Sequence, residues 1–260
     1  MNPGSAANEK IVFLSKTAPV KMGKEWFDIV DADHFWIRKR FRVFSKISKP
    51  LAKSGKYAEI GCGTGLLQDQ LERNMGISVD GFDLDLEALK RNISRHSPLF
   101  VYNIFEKLPK LKSAYDGLFL FDVLEHLDQD KDFLESCLYH LKPGGRIYIN
   151  VPSREELRSK YDVLVGHVRR YTLPDLVSLA ESCGLVVQQK TYWGMPLYPV
   201  LIVRKYFMRR TPNQKVIQSG MKPPHQLANK LLGLLSCLEP ITQTLIGTSA
   251  MIVAQKSSAA

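Results

Sequence analysis

The run Glu59-Ile60-Gly61-Cys62-Gly63-Thr64-Gly65, directly after Tyr57-Ala58, constrains this chain more than any other segment. An acidic residue closes a short strand, and three glycines then turn the chain toward a helix opening near Leu66. Glycines at alternate positions let a backbone bend tightly and lie against a ligand with no Cβ between them. A nucleotide-like ligand at the end of a parallel strand needs that combination. The spacing is G-x-G-x-G, whereas a dinucleotide site carries G-x-G-x-x-G.

The residues that follow extend the pattern. Leu66, Leu67 and Leu71 oppose Gln68, Asp69, Glu72 and Arg73, which predicts a helix ended by Asn74 and Gly76. Ile77–Phe82 reads as a second strand with Asp83 at its end, about 20 residues past the loop and placed to take both hydroxyls of a ribose. Such a charge-assisted bond contributes roughly 1.5–3 kcal/mol. The plain alternative for Asp83 is a turn or capping aspartate, and Asp85 reads as the cap of a helix from Leu86 to Ser94. Leu99–Tyr102 is a third strand ending at Asn103-Ile104. Tyr115–Phe121 is a fourth, nearly all apolar, as a strand covered on both faces should be. A helix from Gln129 to Leu141 follows, and Lys142-Pro143-Gly144-Gly145 turns it into a fifth strand, Arg146–Val151.

Leu185–Tyr192 is a sixth strand, and Ser249–Ala254 the last, antiparallel beside it. This rhythm predicts an α/β fold, a doubly wound and mostly parallel seven-stranded sheet. The expected organisation is an N-terminal helical cap (1–54), a core (55–193), a helical insert (194–247), and a last strand with tail (248–260).

Four segments, Glu59–Gly65, Gly81-Phe82-Asp83, Phe121-Asp122-Val123-Leu124-Glu125-His126 and Leu141–Gly145, resemble in order and spacing the successive motifs of class I S-adenosylmethionine (SAM)-dependent methyltransferases. The resemblance covers residues 55–192 and implies a Rossmann-like fold, SAM as cofactor and S-adenosylhomocysteine as its product. It implies that Glu59 orients the methionine amino group, and that the backbone of Gly61, Cys62, Gly63 and Gly65 lies against methionine and ribose. Asp83, with Leu84 beside it, takes the ribose hydroxyls; Asn103 and Ile104 flank the adenine, although an aspartate is commoner at Asn103. Phe121 and Asp122 border the methyl donor. The flanks Asp33–Trp36 and Gly166–Thr172 resemble a bacterial subgroup linked to cell-surface glycan and lipid-linked sugar pathways.

Methyl transfer is an in-line displacement, so the protein chiefly places reacting atoms at about 3–3.5 Å. A hydroxyl acceptor must also lose a proton, so a base within reach helps. His126 is the first candidate; its alternative is to open the next helix or order the cofactor. His167, Arg169, Arg170 and Tyr171 are either contacts to an anionic acceptor or a loop before the helix Leu173–Ser182, for which Thr172 and Asp175 fit a capping box. His34, Phe35 and Trp36 are placed to close over the cofactor or to pack the core. Asp122, Glu125 and His126 could make half of a metal site, but no second His pair follows, so no metal is expected.

The length of 260 residues suits one domain. No basic-then-apolar leader and no run of about 18 apolar residues is present. Cys62, Cys137, Cys183 and Cys237 show no metal or disulfide spacing. A cytoplasmic, possibly membrane-peripheral setting is expected. The net charge of +10 favours anionic partners; nucleic acid is disfavoured because the motif after the fourth strand lacks the signature of amino-methylating DNA enzymes. The insert carries Met195–Val203, then Arg204, Lys205, Arg209 and Arg210, and a helix presenting Leu227, Leu231, Leu234, Leu235 and Leu238. It reads as a lid or dimer face, or as a surface for anionic lipid. The expected reaction is O-methylation of a glycan, lipid-linked or other hydrophobic small acceptor. The alternatives are a quinone or phenol O-methyltransferase, or a catalytically silent SAM-binding protein. A nicotinamide oxidoreductase is disfavoured by the glycine spacing.

Overall fold

The computed structural model describes residues 11–18, 32–216, 226–240 and 243–258. Its principal elements are β1 (Ile11–Phe13), α1 (Phe35–Ile47), β2 (Tyr57–Ile60), α2 (Leu66–Met75), β3 (Asp80–Asp83), α3 (Leu86–Lys90), β4 (Leu99–Val101) and β5 (Tyr115–Phe121). There follow α4 (Asp130–His140), β6 (Leu141–Pro152), α5 (Lys160–Val165), α6 (Leu173–Ser182), β7 (Leu185–Trp193), α7 (Tyr198–Met208), α8 (Gln226–Leu235) and β8 (Ser249–Lys256).

The strands form one sheet of order β1-β4-β3-β2-β5-β6-β8-β7, parallel except that β8 runs antiparallel to β6 and β7. Alternation of side chains along a strand explains the unbroken apolar run in β5. Leu118 and Leu120 enter the core on one face, while Phe119 and Phe121 enter the core on the other. On that second face α1 buries Ile37, Val43, Phe44 and Ile47, and Phe44 meets Phe119, Phe121 and Tyr148 edge-on at 5.4–5.8 Å. From β2 the order proceeds through β3 and β4 to one side, and from β5 to the other. The carboxyl ends of β2 and β5 therefore flank the switch point where an open sheet leaves a crevice.

Three differences from expectation have local causes. The sheet has an eighth strand: Ile11–Phe13 pairs in parallel with Leu99–Val101, inside the segment expected to be a helical cap. Three residues are too few to show a period, and residues 1–10 and 19–31 of that cap lie outside the described residues. The Lys142–Gly145 turn is a bulge within β6, where the partner of Tyr115 is Leu141 and the partner of Gly117 is Arg146. Helix α3 stops at Lys90 rather than Ser94, because Asn92 turns its amide onto Gln68 Oε1 at 2.8 Å.

The insert folds back over the domain. Its α8 packs on α1, where the Phe35 N–H donates to Asn229 Oδ1 at 2.9 Å. Glu239 accepts from the Gly194 and Met195 N–H groups at 2.9 and 2.8 Å and pairs with buried Lys39 at 2.9 Å. Leu227, Leu231, Leu234 and Leu238 are 56–74% exposed, so the leucine stripe faces away from the domain.

Candidate active site

A cavity of about 720 Å³ opens over the switch point. Strand ends and Arg40 of α1 build one half of it, and the residues after β5 and β6 with the insert build the other.

In the first half the glycine loop folds back on β3. The Gly61 and Cys62 N–H groups donate to the Phe82 carbonyl at 2.7 and 3.1 Å, and the Gly63 N–H donates to Asp83 Oδ2 at 2.8 Å. Gly63 has φ +52°, and a Cβ there would meet no protein atom within 4 Å, so the loop leaves open space on the cavity side. Gly65 answers a different need: it has φ +77° as the N-cap of α2, and a Cβ would run into the Asn92 amide. Gly65 is absent from the cavity wall, unlike Gly61, Cys62 and Gly63.

Asp83 Oδ1 accepts from the Asp85 N–H at 2.8 Å. Burial raises the Asp83 carboxyl, and the Asp85 and Gly63 N–H groups partly offset that. A carboxylate has about four acceptor positions, so two bonds to its own loop leave capacity for ligand hydroxyls. Leu84, Asn103 and Ile104 line the same end. Asn103 Oδ1 is committed to the Phe105 N–H at 3.1 Å, so toward a base the side chain offers its NH₂. Phe105 and Phe133, edge-on at 5.8 Å, add an aromatic wall that no spacing in the sequence announces.

Glu59 is buried, and burial pushes its carboxyl up to about 8, with the Arg40 charge pulling the other way. Its Oε2 has no hydrogen-bond partner, and neither has Arg40 Nε. Arg40 projects from α1, pairs with Asp122 Oδ2 and lies 5.2 Å from the Phe121 ring centroid. Asp122 holds φ +60° after β5 and accepts from Asn150 Nδ2, whose Oδ1 accepts from Trp193 Nε1 at 2.9 Å. One polar chain, open to the cavity at Asp122, thus joins α1 to the ends of β5, β6 and β7. Arg40 was legible only as a charged residue on the apolar Ile37–Phe44 face of α1.

The orphaned atoms fit the group that the sequence motifs imply. A zwitterionic amino-acid end would supply an ammonium to Glu59 Oε2 and a carboxylate to Arg40 Nε. A ribose would reach Asp83, and the open side of Gly63 leaves room between. The residues fit SAM.

The second half gathers histidines and acids. His167 Nδ1 donates to Asp162 Oδ1 at 2.9 Å, and its Nε2 lies 3.9 Å from Glu125 Oε1. The His126 ring stands edge-on to His167 at 4.8 Å. Burial, then the neighbouring His167, lowers the His126 imidazole to about 4, so it is neutral at pH 7. Glu125 is fully buried with neither carboxyl oxygen partnered; burial, reinforced by Asp122, drives its carboxyl well up. Asp162 stays well below the usual range: burial raises it, but the His167 hydrogen bond and the Arg170 charge outweigh that.

The structure corrects two expectations here. Tyr171 is buried outside the cavity wall, its hydroxyl donating to Asp130 Oδ2 at 2.8 Å, so it packs the scaffold. Arg169 is bound to Asp130 and to the Asp128 carbonyl, and Arg170 to Asp162 and the Ser153 carbonyl, which leaves neither guanidinium uncommitted. His167 also stands where a third ligand to Glu125 and His126 would be needed for a metal. Ligand atoms of Glu125, His126 and His167 lie within 4.8 Å of one another, close enough to share a divalent cation. Thr172 and Asp175 form the capping box of α6. His34 caps α1 and, with Phe35 and Trp36, lines the cavity.

Comparison with known proteins agrees with this geometry. Residues 32–190 match a family model described as a methyltransferase domain. A "Probable S-adenosylmethionine-dependent methyltransferase" of Mycobacterium tuberculosis is 26% identical over 71% of this chain and 66% of its own length. A mitochondrial ubiquinone biosynthesis O-methyltransferase of Schizosaccharomyces pombe is 32% identical over 44% of each chain. The matched stretches thus span less than two thirds of these relatives. Among solved structures, phosphoethanolamine N-methyltransferase 2 of Haemonchus contortus in complex with S-adenosyl-L-methionine shares the fold. Its TM-score is 0.55 at 17% identity, over 85% of this chain and 53% of that one.

Proposed function

Because the chain belongs to this methyltransferase-domain family, of the class I SAM-dependent type, we propose that it transfers a methyl group from SAM to a hydroxyl on a hydrophobic small acceptor. The observation that carries the reading is one cavity with two unlike ends. One end has orphaned Glu59 and Arg40 atoms matching an amino acid, with Asp83 placed for a ribose, and the other has a histidine fixed by a carboxylate.

SAM, when bound, supplies an electrophilic methyl on a positive sulfonium. Glu59, Arg40, Asp83 and the glycine loop hold and orient it. His167 is the better base of the two histidines named from sequence. Asp162 fixes the tautomer with Nδ1–H, so the Nε2 lone pair is available to take the hydroxyl proton. His126, neutral and edge-on to it, shapes the pocket. The apolar walls from Leu197, Leu201, Met208 and Leu232 exclude water from the acceptor. The exposed leucines of α8, with Tyr206 and Phe207 of α7 at 61% and 75%, suit contact with a lipid surface and hence a lipid-linked or quinone-like acceptor. Among the described residues no helix is long and apolar enough to cross a membrane.

A second reading is favoured by the unpartnered Glu125 carboxyl: a divalent cation held by Glu125, His126 and His167 would polarise the acceptor hydroxyl. The Asp162–His167 bond would then orient a ligand. The test is methyl-labelled SAM with purified protein and a cell extract, with and without EDTA. Label in the organic phase supports the hydrophobic acceptor, and label confined to water refutes it. Loss of transfer with EDTA, restored by metal, selects the second reading.

A further inference from the structure

Arg204 lies on α7 and lines the acceptor half of the cavity. The other cavity-lining Lys and Arg residues each have a partner: Arg40, whose Nε faces the cofactor end, pairs with Asp122, Arg170 with Asp162 and the Ser153 carbonyl, and Lys205 with the Glu156 carbonyl at 2.7 Å. Arg204 has no hydrogen bond or ion pair among the described residues, and its Nη2 is buried without a partner. Its guanidinium lies 5.8 Å from the ring centroid of Tyr161, another cavity residue, whose ring stands edge-on to His167 at 6.5 Å. Burial depresses the half-buried Arg204 guanidinium, and the nearby Tyr161 and Asp162 offset that only in part. An unpaired buried charge is costly and is normally matched by an opposite charge.

We infer that Arg204 binds an oxyanion carried by the acceptor, and that the acceptor is a phosphate ester with an apolar portion. The planar fork of Arg suits two phosphate oxygens at once. The surrounding Leu157, Val165, Val200 and Leu201 suit the apolar portion. The proximity of Tyr161 and His167 brings the anion near the base, so the phosphate positions the hydroxyl to be methylated. This inference rests on the acceptor assignment above and moves the anion-binding role expected of Arg169 and Arg170 onto the insert.

Two sources of such a group, a lipid-linked phosphate and a soluble sugar phosphate, are separated by the probes. Calorimetry would compare dodecyl phosphate, glucose 1-phosphate and neutral dodecyl maltoside, with and without saturating S-adenosylhomocysteine. The expected result is binding of at least one phosphate probe at least tenfold tighter than the neutral one. Arg204→Gln should abolish that difference and Arg204→Lys restore part of it, with S-adenosylhomocysteine affinity unchanged in both. Preference for dodecyl phosphate identifies the lipid-linked source, and preference for glucose 1-phosphate the soluble one. Equal binding of neutral and phosphate probes, or a phosphate preference that survives in Arg204→Gln, overturns the inference. If Arg204→Gln does not fold, Arg204→Lys decides, since undiminished preference there is incompatible with bidentate recognition. Failure of the wild type to bind S-adenosylhomocysteine would instead sink the cofactor assignment, whatever the phosphate probes do.

Discussion

The two halves of the cavity are built by different means. The cofactor half is backbone and strand end: the glycine loop, Asp83 one strand over, and Phe121-Asp122 at the next. Its geometry follows from the sheet itself, and its polar atoms point where any sheet of this topology leaves a crevice. The acceptor half is side chain and insertion: Glu125 and His126 after β5, Asp162 and His167 around the end of α5, Arg204 on α7. A difference of this kind lets one scaffold keep its cofactor while the other wall changes with the acceptor.

The sharpest way to break that division is to make each half fail alone. His167→Ala should lower turnover about 10²–10⁴-fold while S-adenosylhomocysteine affinity stays within twofold, measured by single-turnover kinetics and calorimetry. An equal loss of cofactor affinity would show that the halves are one site. Asp83→Ala should do the reverse. Loss of a charge-assisted bond contributing roughly 1.5–3 kcal/mol weakens S-adenosylhomocysteine by about 10- to 100-fold, and the carboxyl's hold on Gly63 goes with it. Binding within twofold of wild type would remove Asp83 from the cofactor site.

The smallest effect concerns Glu59. Its carboxyl is raised in the fold from 4.5 to about 8, so between those values the folded protein holds a proton that the unfolded chain has released. The associated stability is complete below about pH 4.5 and is lost as pH climbs through about 8. Without cofactor, the wild type should therefore fall by a few degrees in Tm relative to Glu59→Gln between pH 5 and 8. Parallel melting curves across that window would show that Glu59 is not held neutral.

What could be read in the sequence divides along the same line. Gly61, Gly63 and Asp83 were legible because strand, turn and strand end leave a periodic and glycine-marked trace. Glycine at 65 was legible too, but its reason is Asn92, which no spacing reveals. In the acceptor half His126 and His167 were named from their motifs, but their contacts were not legible, because they join residues with no common period. His167 meets Asp162 only because Gly166, at φ +86°, reverses the chain after α5. Arg169 reaches Asp130 across 39 residues of sequence. The apolar run before Arg204 suggested a surface, yet α7 turns that arginine inward and leaves Phe207 outside.

Glu239 gathers three partners: the Gly194 and Met195 N–H groups at the start of the insert, and Lys39 of α1. Two points 45 residues apart in the chain are thereby tied at one carboxylate. The insert therefore leaves and rejoins the domain at a single knot, so a substitution of Glu239 would loosen the Gly194–Met195 turn ahead of α7 and the seat of Lys39 on α1 together.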